Sequence, residues 1–337
     1  MNFVITPVQG DDALTAAIKP KNDVAYFLDK IGFIPLYFSR FVKLNTHWQQ
    51  EVLGALAAIH SGDVAIFQTP TYAGQDVEDF ILDTLRARNV SVIAFVHDID
   101  YLRFPSAETQ ARTVWFYNQC ACVILSDAAQ QDRLHADGVK APIVLAGPFG
   151  YVQSRPISGA KYSHTVHYAG NLTQRKAGFL ADVPDGLAIN VYGRNESSDG
   201  GVTMSPGVNY CGPKQQAELA DALTNGFGLI WDADISGSVD HYAMVNMPHK
   251  FSLYMSLGLP VIAPAGSAVG DYIQRNRVGL TVKNLADMRI IVDGITPARY
   301  QAMVVRTVKM GVAICNGYHT QVAAITAVML ARGAGPV

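Results

Sequence analysis

The chain is poor in charge. Of 337 residues only 16% are Asp, Glu, Lys or Arg, against 49% hydrophobic, a balance that excludes disorder and a charge-rich coiled coil as the main architecture. Neither sign dominates: 26 basic and 28 acidic residues give a formal charge of −2, so no broad positive surface exists to hold nucleic acid by its phosphates. Any anion must be bound locally. Cysteine is scarce too. Cys120, Cys122, Cys211 and Cys315 form no C-x-x-C pair and have no histidine at zinc-finger spacing, and a chain of this length needs no disulfide staples, so they read as reduced thiols of a cytoplasmic protein. No apolar run approaches the ~18 residues of a membrane span, and Met1 to Thr6 contains no basic segment ahead of an apolar one, so the protein is expected to be neither exported nor membrane-spanning. The Asn171 and Asn195 sequons are then without consequence.

Several catalytic signatures are missing as well. There is no G-x-G-x-x-G after a first strand and no G-x-x-x-x-G-K-[ST], which argues against nicotinamide dehydrogenases and P-loop ATPases. Gly266 to Gly270 has the spacing of a hydrolase nucleophile elbow without its central serine. His164 and His167, three apart on a strand, point to opposite faces and do not suit a shared metal.

What the sequence does contain is a βαβ rhythm. Short apolar runs at 33–38, 64–67, 90–96, 122–125 and 143–145 read as strands, with helical patterns at 48–59, 77–85, 113–120 and 128–135, the last opened by Ser126 or Asp127. Between Ala146 and Ser163 the periodicity fails and Gly147, Pro148, Gly150, Pro156 and Gly159 cluster, marking a domain boundary. The rhythm restarts with strands at 165–168, 188–192, 228–231, 261–263 and 279–282 and helices at 215–223, 250–257 and 268–274. After Thr296-Pro297 one long helical pattern runs to about Leu330. The predicted architecture is α/β, two doubly wound Rossmann-like domains facing across a cleft: an acceptor domain over 1–150, a donor domain over 151–310, and a C-terminal helix over 311–337 that crosses back to the first domain.

The most informative stretch is 246–263, Asn-Met-Pro-His-Lys-Phe-Ser-Leu-Tyr-Met-Ser-Leu-Gly-Leu-Pro-Val-Ile-Ala. Pro248 is placed to open a helix, with Lys250 inside its first turn and Gly258 at its end. A helix N-terminus presents free N–H groups and roughly half a positive charge, and a lysine beside it reinforces the attraction for a phosphate.

This stretch, with Gly266-Ser-Ala, resembles the nucleotide-sugar half of bacterial two-domain (GT-B) glycosyltransferases, in particular the group containing the adhesin-glycan glucosyltransferases and the β-1,6-galactofuranosyltransferases. Tyr168-Ala-Gly-Asn-Leu-Thr-Gln-Arg-Lys resembles that group's Gly-Asn-Leu loop, Gly226-Phe-Gly-Leu-Ile-Trp-Asp its strand ending in Trp-Asp, and His97-Asp-Ile-Asp-Tyr-Leu-Arg its N-domain turn. The approach Ala243-Met-Val-Asn-Met departs from the group's lysine- and asparagine-rich pattern, which leaves the donor open. The resemblance implies that Lys250, with Arg175 or Lys176 in the loop beginning at Asn171, holds the donor's diphosphate. Asn246 is expected to meet a ribose or sugar hydroxyl or else to cap the Lys250 helix. Tyr210 or Cys211, before Gly212, is placed to rest against the base or else simply to end a strand, and Ser267 and Ala268 to open a helix whose N–H groups bind a phosphate or sugar oxygen. In the first domain Asp98, with His97 second, is the candidate base for an acceptor hydroxyl, unless Asp98 merely caps a turn. Thr69, Thr71 and Gln75 are placed to line the acceptor side.

The expected activity is transfer of a hexose, of glucose, galactose or galactofuranose type, from a UDP-sugar to a hydroxyl of a glycan, glycoprotein or lipid-linked acceptor in polysaccharide or glycoprotein synthesis. Inversion is expected, with no metal and no cofactor beyond the UDP-sugar co-substrate, because Asp98-Ile-Asp100 has metal-motif spacing but lies in the acceptor domain. A homo-oligomer is expected, with peripheral attachment at the inner membrane face and no nucleic-acid partner. The rivals are a nucleotide-sugar epimerase and a silent sugar-nucleotide-binding partner of a transferase.

Overall fold

The computed structural model describes residues 1–9, 18–195, 201–232 and 241–333. They divide into two compact units, Met1–Val152 with Asn316 onward, and Gln153–Cys315.

The first unit is built on a six-stranded parallel sheet: β1 (Asn2–Val8), β2 (Ile34–Ser39), β3 (Val64–Thr69), β4 (Ser91–Val96), β5 (Cys122–Leu125) and β6 (Ile143–Leu145), in the order β2-β1-β3-β4-β5-β6. β3 is buried along its whole length and β4 along nearly all of it, as expected when helices cover both faces of a parallel sheet. One layer of the core joins Val4, Ile66, Ile93, Phe95 and Ile124 to Val24 and Leu28 of the helix Lys19–Asp29 and to Ala323, Ala324 and Ala327 of the helix Tyr318–Ala331. This last helix follows the second unit in sequence yet belongs to the first. Its Thr320 hydroxyl accepts from Gly150 N–H at 3.3 Å, and its Gln321 amide donates to Phe27 O at 3.0 Å.

The second unit repeats the plan with β7 (Lys161–Ala169), β8 (Ile189–Tyr192), β9 (Val208–Tyr210), β10 (Asn225–Leu229), β11 (Val261–Pro264) and β12 (Gly279–Val282), in the order β12-β11-β10-β7-β8-β9, all parallel. In both sheets the order reverses beside the unit's first strand, so ligand-binding loops are expected at the carboxyl ends of β1 and β3 and of β7 and β10.

Two expectations need correction, and two are made more definite. The single helix from Thr296 is two, Pro297–Cys315 and Tyr318–Ala331, broken at Gly317, whose φ is +68° and where a Cβ would lie 2.3 Å from the Phe27 ring. The unit boundaries accordingly fall at 152/153 and 315/316, not 150/151 and 310/311, and 334–337 lie outside the described residues. Pro248 opens the helix His249–Ser256 as expected, standing at its N-cap with φ −73° and ψ 146°, and Lys250 is the second residue of the first turn. Of the two expected caps, it is Asp127 that opens the helix Ala128–Ala136, accepting from Ala129 N–H. All four cysteines are free thiols, and among the described residues no helix is long and apolar enough to cross a membrane.

Candidate functional site

In the second unit the helix His249–Ser256 is clamped onto the carboxyl ends of β7 and β10 by Tyr254. Its buried hydroxyl accepts from Ala169 N–H at 3.0 Å and lies 3.3 Å from both the His167 and Leu229 carbonyls. The ring fits because residue 228 is glycine; a Cβ there would come within 2.4 Å of it. Clamping fixes the helix N-terminus, where no side chain caps the backbone and where N–H groups and the helix dipole favour an anion.

Lys250 stands in that first turn. Its ammonium lies 4.1 Å from the centre of the Tyr168 ring and 4.0 Å from Asp232 Oδ1, just beyond the end of β10. The other oxygen of Asp232 forms an ion pair with Lys176, from the short helix Gln174–Ala177 after β7. One carboxylate thus gathers two ammonium groups. Burial pulls Lys250 down to about 8, opposed by the Asp232 carboxylate and assisted by the Lys176 charge. Gly170 leaves room beside the lysine, since a Cβ there would meet Lys250 Cε and Nζ at 3.4 Å. Gly193 is required on the next strand end, where a Cβ would sit 2.1 Å from Gly170 O.

Around this centre the sequence expectations sort themselves by burial and bonding. Lys176, not Arg175, turns toward Lys250; Arg175 is exposed, as is Asn171. Asn246 does not cap the Lys250 helix, and its buried Oδ1 has no hydrogen-bond partner among the described residues. Tyr210 is half-exposed at the end of edge strand β9 and donates to Gly193 O at 3.0 Å, which ties it to the same rim. Ser267 is fully buried: its hydroxyl caps the helix Ala268–Asn276 by accepting from Gly270 N–H and donates to Pro264 O, so a ligand cannot have it. Ala268 is buried and offers only backbone. Sequence reasoning noticed Trp231-Asp232 as a motif but gave Asp232 no role.

In the first unit a cleft of about 120 Å³ opens at the carboxyl ends of β3 and β4, lined among others by Thr69, Tyr72, Gln75, Glu78, Asp98, Asp100 and Arg112. Asp98 Oδ2 accepts from the Tyr72 hydroxyl at 2.5 Å and from Arg103 Nη1 at 2.9 Å. Tyr72 reaches it with φ +59°, a left-handed backbone that costs a non-glycine residue about 1–3 kcal/mol and persists only when its surroundings over-determine it. Beneath its ring lies the buried Lys21 ammonium, 4.7 Å from the centroid. Burial pulls Lys21 down to about 8, against the pull of Asp98, Glu78 and Asp100. Asp100 is pushed up to about 6, by burial first and by the Asp98 charge second, with Arg103 opposing. On the far wall Arg112 pairs with Glu78 at 2.8 Å and with Asp79 at 2.6 Å.

Asp98 is therefore no cap, since the short helix Asp100–Arg103 begins after Ile99 without a side-chain bond. His97 is misplaced as a second base. It is 7% exposed, stacks on Phe149 with ring planes 7° apart, and is not part of the cleft. Its Nε2 lies 2.8 Å from Gln68 Oε1, and because the Gln68 amide donates to Thr6 Oγ1 and Lys21 O, that oxygen must accept and Nε2 must carry a proton. Thr71 is also structural: fully buried, its N–H and hydroxyl both donate to Glu78 Oε1. Thr69 and Gln75 do line the cleft.

Two doubly wound parallel sheets in series are the architecture of the GT-B class. Solved structures share the fold: sucrose-phosphate synthase from Thermosynechococcus elongatus matches with a TM-score of 0.68 at 14% identity, covering 99% of this chain and 100% of that one. HepE of Anabaena, solved with UDP and glucose, matches at 0.65 and 10% identity over 97% and 99%. The chain belongs to the glucosyltransferase 3-like family, whose N-terminal domain model matches residues 2–148 and whose C-terminal domain model matches residues 166–327. It is 27% identical to glucosyltransferase 3 of Streptococcus gordonii over 98% of this chain and 99% of that protein. With the β-1,6-galactofuranosyltransferase WbbI of Escherichia coli (strain K12) it shares 29% identity over 73% of each chain.

Proposed function

We propose that the protein moves a hexose, of glucose, galactose or galactofuranose type, from a UDP-sugar to a hydroxyl of a glycan or glycoconjugate. The observation that carries this reading is the Lys176–Asp232–Lys250 centre at the uncapped N-terminus of the helix His249–Ser256. Two ammoniums and a helix dipole match a leaving diphosphate, whose charge grows as the glycosidic bond breaks. We extend the reading to a metal-independent reaction, because these groups supply the positive charge a metal otherwise brings, and to inversion, because a direct displacement needs only one base. Family membership favours transfer over epimerisation and silent binding. Screening UDP-sugars by calorimetry, with mass spectrometry of acceptor products and a parallel assay in EDTA, tests it. Release of UDP only with acceptor present is expected, undiminished by chelator; conversion of free donor would instead indicate an epimerase.

The acceptor is proposed to belong to polysaccharide or glycoprotein synthesis at the inner membrane face, and the protein to be a homo-oligomer. The exposed apolar row Tyr318, Val322, Ile325 and Met329 on one helix supports self-association, which light scattering checks.

A further inference from the structure

The transferase reading requires that an acceptor hydroxyl lose its proton, and the first-unit cleft offers two carboxylates, Asp98 and Asp100, for a single task. We infer that Asp100 is the catalytic residue that takes this proton, and that Asp98 is a positioning residue which holds the loop carrying it.

The two side chains are held differently. Asp98 Oδ2 already accepts two hydrogen bonds, from the Tyr72 hydroxyl at 2.5 Å and from Arg103 Nη1 at 2.9 Å. Both bonds fall on Oδ2 and together fix the orientation of the Asp98 carboxylate against the Tyr72 and Arg103 side chains. Tyr72 cannot easily withdraw, because its left-handed backbone and the Lys21 ammonium against its ring fix the phenol over Asp98. Asp100, two residues on, lines the same cleft, and its nearest cation, Arg103 Nη1, is 4.0 Å away, beyond hydrogen-bond distance. Its side chain keeps 37% exposure, so it is open to an incoming hydroxyl while lying near the fixed Asp98 charge. The groups that face Asp100 are Asp98 and Arg103 on its own turn, Tyr72 on the loop after β3, Glu78, Lys21, and Tyr117 on the helix Ala107–Asn118. Burial first, and the Asp98 charge second, raise the affinity of Asp100 for a proton to about 6, against the pull of Arg103, where a base can work near neutrality.

The step is a displacement. The acceptor oxygen forms a bond to the anomeric carbon of the UDP-sugar, and the bond from that carbon to the phosphate oxygen breaks. Its electron pair leaves with UDP, and the hydroxyl proton passes to the Asp100 carboxylate and then to water.

The inference rests on the transferase reading, and the test keeps the two apart. For the parent, kcat/KM should rise with pH and level off above an inflection near 6. Asp100→Asn should lower kcat by ~10² to 10⁴-fold, flatten that inflection, and leave UDP affinity unchanged by calorimetry. Asp98→Asn should keep the inflection, displaced to lower pH because the neighbouring negative charge is gone, and lose about tenfold or less, short of a full base effect. Asp100→Glu, which retains a carboxylate, should restore a pH-dependent rate and serves if the asparagine variant does not fold. A larger loss in Asp98→Asn than in Asp100→Asn, or an unchanged pH profile in Asp100→Asn, overturns the assignment while leaving transfer intact. A parent that binds UDP but transfers no sugar from any UDP donor overturns the transferase reading and the inference with it.

Discussion

At the residue scale the second unit turns on one carboxylate serving two lysines. Replacing Lys250 by Ala removes a charge-assisted contact worth about 1.5–3 kcal/mol, so UDP binding should weaken roughly tenfold to a hundredfold, with a larger loss in kcat/KM than in affinity. Titration calorimetry and steady-state rates on the same variant measure both. The same lysine sets an alkaline limit. Burial lowers it to about 8, and only the ammonium attracts phosphate, so UDP affinity should be full below that pH and fall as pH rises through it. Asp232→Asn removes the group that opposes this lowering while leaving the repulsion from Lys176. The alkaline fall in affinity should therefore move to lower pH, a shift that calorimetry at pH 6.5, 7.5 and 8.5 would show; an unmoved limit would mean that Asp232 only shapes the loop. Lys250 was legible in the sequence because a proline and a glycine bracket its helix. Asp232 was not, because an aspartate after a strand is most often a turn residue and nothing local reports that two lysines, 56 and 18 positions away, converge on it.

At the scale of elements, buried parallel strands were legible as β-branched runs between breakers, and β5, β6 and β12 fall where the pattern puts them. The omissions have physical reasons. β1 is buried along its middle on both faces and shows no alternation to mark it. The helix Lys19–Asp29 buries Lys21 and Asp23, so its polar residues sit where apolar ones signal a core-facing stripe. The break at Asn316-Gly317 had a turn signature, yet the apolar pattern on either side is continuous enough to conceal it. The clamp formed by Tyr254 gives the element-level prediction. Gly228→Ala places a methyl 2.4 Å from that ring, which must move and take the Lys250 helix with it. Overpacking of this kind costs about 1–3 kcal/mol. Thermal unfolding should show a lowered Tm, accompanied by loss of UDP affinity in a variant that alters no polar group.

On the scale of the whole molecule, the helix Tyr318–Ala331 is part of the first unit's core, with Ala323, Ala324 and Ala327 essentially without solvent contact. Truncation before Asn316 should therefore leave the first unit aggregated or molten while the second keeps its UDP site. Near-UV circular dichroism with calorimetry tests this, and a truncated chain with both units cooperative would contradict it. The same packing has a consequence in time. The chain leaves the first unit at Val152, makes the whole second unit, and only then returns. During synthesis the first unit must wait with an apolar face uncovered until the helix Tyr318–Ala331 has been made, so of the two units the one begun first is completed second.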